Sequence, residues 1–158
     1  MDAEALKIAV YRRLPERLQH TVVRLGTPNF SVGAMVFLTI DGSQVLLVRP
    51  TYRKGWLPPG GFLGRGESAE QTITREMHEE LDLQDVRAQA PHRVSLDTER
   101  QGVTFVCAAR VSASAVPRIA GPELLAWQWF ALDEIPEPPA AFHEGILEQD
   151  LEAVRRLA

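Results

Sequence analysis

The sequence predicts one α/β or α+β sandwich domain. Apolar runs of strand length flank a single strongly patterned helix, and a hairpin signal, Asp41-Gly42, joins the first two runs. A second helical stretch closes the chain. At 158 residues the chain is long enough to bury a sizeable core, and 45% hydrophobic with 24% charged residues is the balance of an ordinary globular protein.

Residues 1–26 read as helix. Leu6, Val10 and Leu14 recur at helical spacing, Pro15 interrupts, and Leu18, Val22 and Leu25 resume the pattern before Gly26-Thr27-Pro28. Arg12, Arg13, Arg17 and Arg24 raise the alternative of a membrane-surface helix. Glu4, Glu16 and Pro15 dilute that basic face, which favours a helical cap packed on the domain or on a second subunit. Phe30–Ile40 then reads as a strand and Gln44–Arg49 as its hairpin partner. Pro50–Pro59 is a loop carrying Tyr52, Arg53, Lys54 and Trp56. Val86–Leu96 and Val103–Val111 read as two strands joined around Gln101-Gly102. Residues 112–122 form a loop, Leu125–Phe130 the last strand, and Phe142–Leu157 the closing helix.

Charge and cysteine content narrow the function. A formal net charge of −4 argues against wrapping a nucleic-acid backbone. The single cysteine, Cys107, lies in an apolar run, which fits a reducing compartment and allows neither an internal disulfide nor a cysteine metal site. No apolar stretch reaches the length of a membrane span, and Met1-Asp2-Ala3-Glu4 does not open a basic-then-apolar leader. A cytoplasmic location is the expectation.

The central helix carries the chemistry. Ser68 is a good N-cap, Gln71 completes a capping box, and Glu67 and Glu70 suit the positive end of the helix dipole. Ile73, Met77 and Leu81 form one apolar stripe. Glu76, Glu79 and Glu80 fall on a neighbouring face, where like charges cost about 0.2–0.5 kcal/mol per pair. A cation among them offsets that cost, and hard divalent ions take several oxygen ligands. Arg75 is placed to pair with Glu79 one turn on, and Glu67 to reach the same guanidinium. The preceding Trp56-Leu57-Pro58-Pro59-Gly60-Gly61 sets two stiff prolines before two permissive glycines, a turn that brings backbone close to a metal or phosphate.

This stretch resembles the Nudix box of the Nudix hydrolase family, G-x5-E-x7-R-E-U-x-E-E-x-G-U with U apolar. Gly61, Glu67, Arg75, Glu76, Met77, Glu79, Glu80 and Leu83 match it, and Asp82 stands where the pattern has Gly. Asp is among the few residues that tolerate the left-handed helix end that a Gly there serves. The preceding VLLVRP and GWLPPGG, and the later Trp129–Pro136, are also similar to family segments. The resemblance covers about residues 29–140 and implies an α/β/α sandwich with a mixed β-sheet; the domain is expected over residues 29–158, with 1–28 as an N-terminal helical extension. It implies hydrolysis of a diphosphate linkage in a nucleoside diphosphate derivative, with Mg²⁺, or Mn²⁺, as cofactor. By motif position Glu76 and Glu80 are metal ligands and Glu79 a further ligand or water orienter. The Gly61 carbonyl joins that shell, and Glu67 and Arg75 support it. The base is one of the three box glutamates, or Glu123 if the base comes from another loop, as in some members.

Arg49, Arg53 and Lys54 are candidates for the substrate's phosphates. Tyr52, Trp127 and Trp129 are candidates to stack on a base, although core packing suits both tryptophans better. His78, His92 and His143 receive no role. The family's tags for diadenosine polyphosphates, ADP-ribose, NADH and coenzyme A are missing, so a nucleotide is the substrate expectation. Members often dimerise, and the extra helices would cover such an interface. A non-catalytic Nudix-fold nucleotide-binding or regulatory module is the alternative, disfavoured because every box acid is present. An isopentenyl-diphosphate isomerase needs an active-site Cys, which Cys107 in its apolar run does not suit.

Overall fold

The computed structural model describes residues 3–136 and 145–158. They fall into two compact units, Met1–Phe30 and Ser31–Ala158. The first holds α1 (Ala3–Tyr11) and α2 (Glu16–Gly26), parted at Pro15, which caps α2 with φ −54° and ψ 145°. Leu6, Val10, Leu14 and Val22 share an apolar hollow with Ile8 and Tyr11.

The second unit runs β1 (Ser31–Thr39), β2 (Gln44–Pro50), β3 (Gly60–Phe62), α3 (Ala69–Leu81), β4 (Arg87–Ala88), β5 (Arg93–Asp97), β6 (Gly102–Arg110), β7 (Leu124–Ala131) and α4 (Glu148–Arg155). One mixed sheet has the order β4-β6-β1-β2-β7, with β3 also paired to β1 and β5 to β6. β1 and β6 are parallel from Ser31 opposite Gly102 to Thr39 opposite Arg110, and the other pairings are antiparallel.

Helices cover both faces, which is why β1 and β2 read as continuous apolar runs rather than alternating ones. Ala34, Val36, Leu38, Leu46, Val48, Cys107 and Ala109 pack with Ile73, Met77 and Leu81 of α3. Phe37, Val45, Leu47 and Val106 pack on the opposite side with Val154 of α4. Burying each of the three α3 side chains contributes about 1.5–3 kcal/mol, so the stripe fixes which face of the helix the neighbouring glutamates occupy.

A buried polar cluster ties α4 down. Asp150, fully buried, accepts from Arg93 Nε at 3.0 Å and Nη2 at 2.8 Å, lies 2.9 Å from His92 Nε2, and accepts from the Leu147 amide at 2.9 Å.

Three elements depart from expectation. The single strand over 86–96 is two short ones, because Pro91 has no N–H to give the ladder. Between the pairs Ala88–Ala109 and Arg93–Val106, residues 89–92 bulge opposite residues 107–108. β3 forms inside the turn before the helix, where two glycines and only three residues leave no periodicity to read. The closing helix begins at Glu148, and residues 145–147 are not helical; Phe142 and His143 lie outside the described residues. No helix among the described residues is long and apolar enough to cross a membrane.

Candidate active site

The approach to α3 is fixed by backbone contacts. Val48 and Leu57 exchange amide–carbonyl bonds of 2.8 and 2.9 Å, and the Pro59 carbonyl accepts from the Val36 amide at 2.9 Å. This lays Gly60 against β1 so tightly that a Cβ there would stand 2.1 Å from the Ala34 carbonyl oxygen. At Gly61 a Cβ would stand 2.0 Å from Glu76 Oε1. The first glycine lets the backbone close on the sheet; the second leaves room for a box carboxylate.

The start of α3 is over-determined. Ser68 Oγ accepts from the Gln71 amide at 3.3 Å, and Gln71 Oε1 from the Ser68 amide at 2.8 Å. Glu67, one residue earlier, accepts from the Gly64 amide at 2.8 Å and the Thr72 hydroxyl at 2.9 Å. Its main partner is Arg75, whose Nε and Nη2 reach Glu67 Oε1 and Oε2 at 2.9 and 3.1 Å. These bonds, the Arg75 guanidinium first and then Gly64 and Thr72, pull the Glu67 carboxyl down to about 2.

Arg75 spends all five of its N–H donors here. Beyond the two to Glu67, Nη1 donates to Glu76 Oε1 at 2.8 Å and to Glu79 Oε2 at 3.1 Å, and Nη2 to the Phe62 carbonyl at 3.0 Å. The guanidinium thus joins β3, the loop before the helix and two box acids.

The other end of α3 closes on Asp82 in the left-handed region, φ 53° and ψ 27°. Its amide donates to the His78 carbonyl and that of Leu83 to the Met77 carbonyl, both at 3.1 Å.

A cleft runs beside these elements. It is lined on the helix side by Arg75, Glu76, Glu79 and Glu80, and across from them by Gly60, Gly61, Phe62, Tyr52, Arg53 and Glu123. Glu80 is 8% exposed, and its carboxyl is raised from 4.5 to about 7, by burial first and then by the charges of Glu76, Glu123 and Glu79. Arg75 reaches Glu76 and Glu79 but makes no bond to Glu80.

As the side chains stand, no three acidic, histidine or cysteine groups among the described residues are gathered into a ligand set. Glu76 and Glu79 are turned to Arg75. The chemistry of the donors nonetheless fits a hard divalent cation: oxygen groups only, one of them buried among three other acids, with Gly61 leaving space at Glu76.

Of the other expected residues, Tyr52, Arg53 and Glu123 reach the cleft, while Arg49 is not among its lining residues. The Arg49 guanidinium lies over the Trp56 ring, 5.9 Å from its centroid, so the structure does not bring it to the acids. Lys54 is exposed and does not line the cleft either. Trp127 and Trp129 pack against the α3-side core. Cys107 is buried, with burial the first cause that pushes its thiol up to about 12, which removes the cysteine the isomerase reading requires.

Phe62 was missed: it lines the cleft and is 69% exposed. Its place directly after Gly60-Gly61 was the signal available in the sequence.

Fold and acids together are those of a Nudix domain, and a NUDIX domain model matches residues 29–150. The chain belongs to the Nudix hydrolase family. Over 117 residues it is 33% identical to the NAD-capped RNA hydrolase NudC of Pseudomonas aeruginosa (strain LESB58). That match spans 68% of this chain and 38% of that protein, so the chain covers well under half the length of this relative. Among solved structures it is similar to a MutT NUDIX hydrolase from Burkholderia pseudomallei, with TM-score 0.60 and 24% identity over 83% of this chain and 100% of that one. It is also similar to an ADP-ribose pyrophosphatase from Streptococcus suis, with TM-score 0.62 and 19% identity over 81% and 91%. At those identities the structural likeness carries the fold alone.

Proposed function

We propose that this chain hydrolyses the diphosphate linkage of a nucleoside diphosphate derivative by attack of water on phosphorus, with Mg²⁺ as cofactor and Mn²⁺ able to replace it. The observation that carries the reading is Glu80, buried among three other acids with no cation among the described residues bonded to it. Glu76, Glu79, Glu80 and the Gly61 carbonyl would hold the ion. When bound, it supplies counter-charge and Lewis-acid polarisation for the phosphoryl oxygens.

The protein's own groups do the rest. Arg75 and Glu67 fix the carboxylates, with every guanidinium N–H committed. Arg53 meets a substrate phosphate, and Tyr52, 65% exposed at the cleft, offers a face to the nucleoside ring. The proton lost by the attacking water passes to a cleft carboxylate, Glu76, Glu79 or Glu80 from the helix or Glu123 facing them. We take 29–158 as the catalytic domain and 1–28 as an appended helical segment suited to a homodimer contact.

The test is a panel of nucleoside diphosphate derivatives, nucleoside triphosphates and an NAD-capped RNA, the last because of the curated relative. Each is incubated with Mg²⁺ and assayed for its phosphate-bearing products. At least one is turned over by the wild type, and Glu80→Gln abolishes that turnover. Unchanged activity in Glu80→Gln sinks the metal assignment, and binding without turnover across the panel favours the non-catalytic module.

A further inference from the structure

We infer that Asp82 is a positioning residue for Glu123, because the left-handed end it gives α3 is the anchor of the loop that carries that acid. A helix leaves its last four carbonyls without helical partners. Here the cap itself takes up those of Met77 and His78. Of the three that follow, on Glu79, Glu80 and Leu81, two are taken by a distant segment: the Ala120 amide donates to the Glu80 carbonyl at 3.0 Å and the Arg118 amide to the Leu81 carbonyl at 2.8 Å. In a helix continuing past residue 82, those two acceptors would serve residues 84 and 85 instead.

Glu123 follows this anchor by three residues and immediately precedes β7. Its own carbonyl accepts from the Thr51 amide at 2.8 Å and from Thr51 Oγ1 at 3.1 Å. Thr51 precedes Tyr52 and Arg53, which share the cleft with Glu123. A chain of main-chain bonds therefore runs from the end of the acid-bearing helix, through residues 118–123, to the loop on the far wall. The departure of the box from glycine at this position keeps the geometry, since Asp tolerates φ 53°. A β-branched residue does not.

The anchoring is independent of the activity proposed above, whereas its catalytic consequence rests on that reading. The experiment compares the full chain with Asp82→Gly, Asp82→Ala and Asp82→Val by NMR hydrogen exchange at the Arg118 and Ala120 amides, with Ile73 as an internal control. Asp82→Val speeds exchange at Arg118 and Ala120 by about tenfold or more while Ile73 keeps its protection, and Asp82→Gly stays within about threefold of the parent. Asp82→Ala falls between and decides the matter should Asp82→Val fail to fold.

On the substrate turned over, Asp82→Val lowers kcat by about tenfold, and in a Glu123→Gln background by less than about twofold, because the acid it positions is already gone. Unchanged exchange at both amides in Asp82→Val overturns the inference. So does an equal loss of kcat with and without Glu123. Absence of turnover in the parent chain counts against the proposed activity, and the exchange result then judges the anchor alone.

Discussion

Replacing Gly61 by alanine adds one methyl group to the strand that faces Glu76. Its position follows from the backbone: 2.0 Å from Glu76 Oε1 and 2.3 Å from Cδ, where ordinary contact begins at 3.4 Å. Gly61 does not have the left-handed φ of several other glycines here, so alanine strains no main-chain torsion. The carboxylate, the far end of a flexible side chain, gives way instead. It must retreat by about 1.4 Å, and a misplacement on that order in a catalytic group costs about a hundredfold in rate. The accompanying loss of the 2.8 Å Arg75–Glu76 bond costs about 1 kcal/mol or less, since both partners keep some solvent contact. We predict kcat/KM down about a hundredfold with a melting temperature lowered by only about 2–4 °C at most for a loss of that size. Gly60→Ala is the control: its methyl would stand 2.1 Å from a backbone oxygen of β1, so it damages the fold itself. Both variants are assayed for turnover and by thermal unfolding. If Gly61→Ala keeps kcat/KM within about threefold, or unfolds as Gly60→Ala does, the placement of Glu76 beside this turn is wrong.

Glu80 makes stability depend on pH in the metal-free chain. Its carboxyl is raised from 4.5 to about 7, so the fold prefers the protonated form, and stability falls as pH rises through that window and levels off above it. The displacement corresponds to about 3 kcal/mol, reduced by solvent screening to about 1–2 kcal/mol. Urea unfolding in EDTA should therefore show Glu80→Gln more stable than wild type at pH 8 and equal to it near pH 4; a gain of the same size at both pH values would contradict the cause. Arg75→Lys offers three donors in place of five, so at least two bonds are lost and stability drops by about 1–3 kcal/mol. Its activity should fall further than Glu67→Gln alone produces, because two box acids are released as well; steady-state kinetics of the two variants decide. Asp150→Ala breaks the buried pair with Arg93 and costs about 3–5 kcal/mol in urea, while the folded protein retains its kcat. A large loss of kcat there would mean that α4 takes part in the cleft.

The box was legible because it is a pattern of side-chain types at fixed spacing along one helix. Arg75 and Glu79 lie one turn apart, and helical geometry alone predicts their pairing, while Glu67 reaches the same guanidinium from just before the N-cap. The Asp82 cap was legible for the same reason, since only a few residues accept a positive φ. What escaped depends on tertiary neighbours. Arg93 and Asp150 are 57 residues apart, and nothing local to either marks the partner. Glu123 meets Thr51 across 72 residues, so its place in the cleft became firm only with the fold. Arg49 was assigned by nearness in sequence to the box, but the sheet directs it to Trp56. β3 is too short to show alternation, and with it went Phe62, whose exposure follows from edge pairing to Gly33 of β1.

The central claim is that water attacks phosphorus in a diphosphate at this cleft, and turnover in heavy-oxygen water tests it most directly. The substrate identified by the panel is hydrolysed with Mg²⁺, and the products are weighed by mass spectrometry. The account predicts one heavy oxygen per turnover, on a phosphate-bearing product, and no turnover when EDTA is added or Glu80 is replaced by Gln. Label on a carbon-bound hydroxyl, or label incorporated equally well by Glu80→Gln, would contradict it.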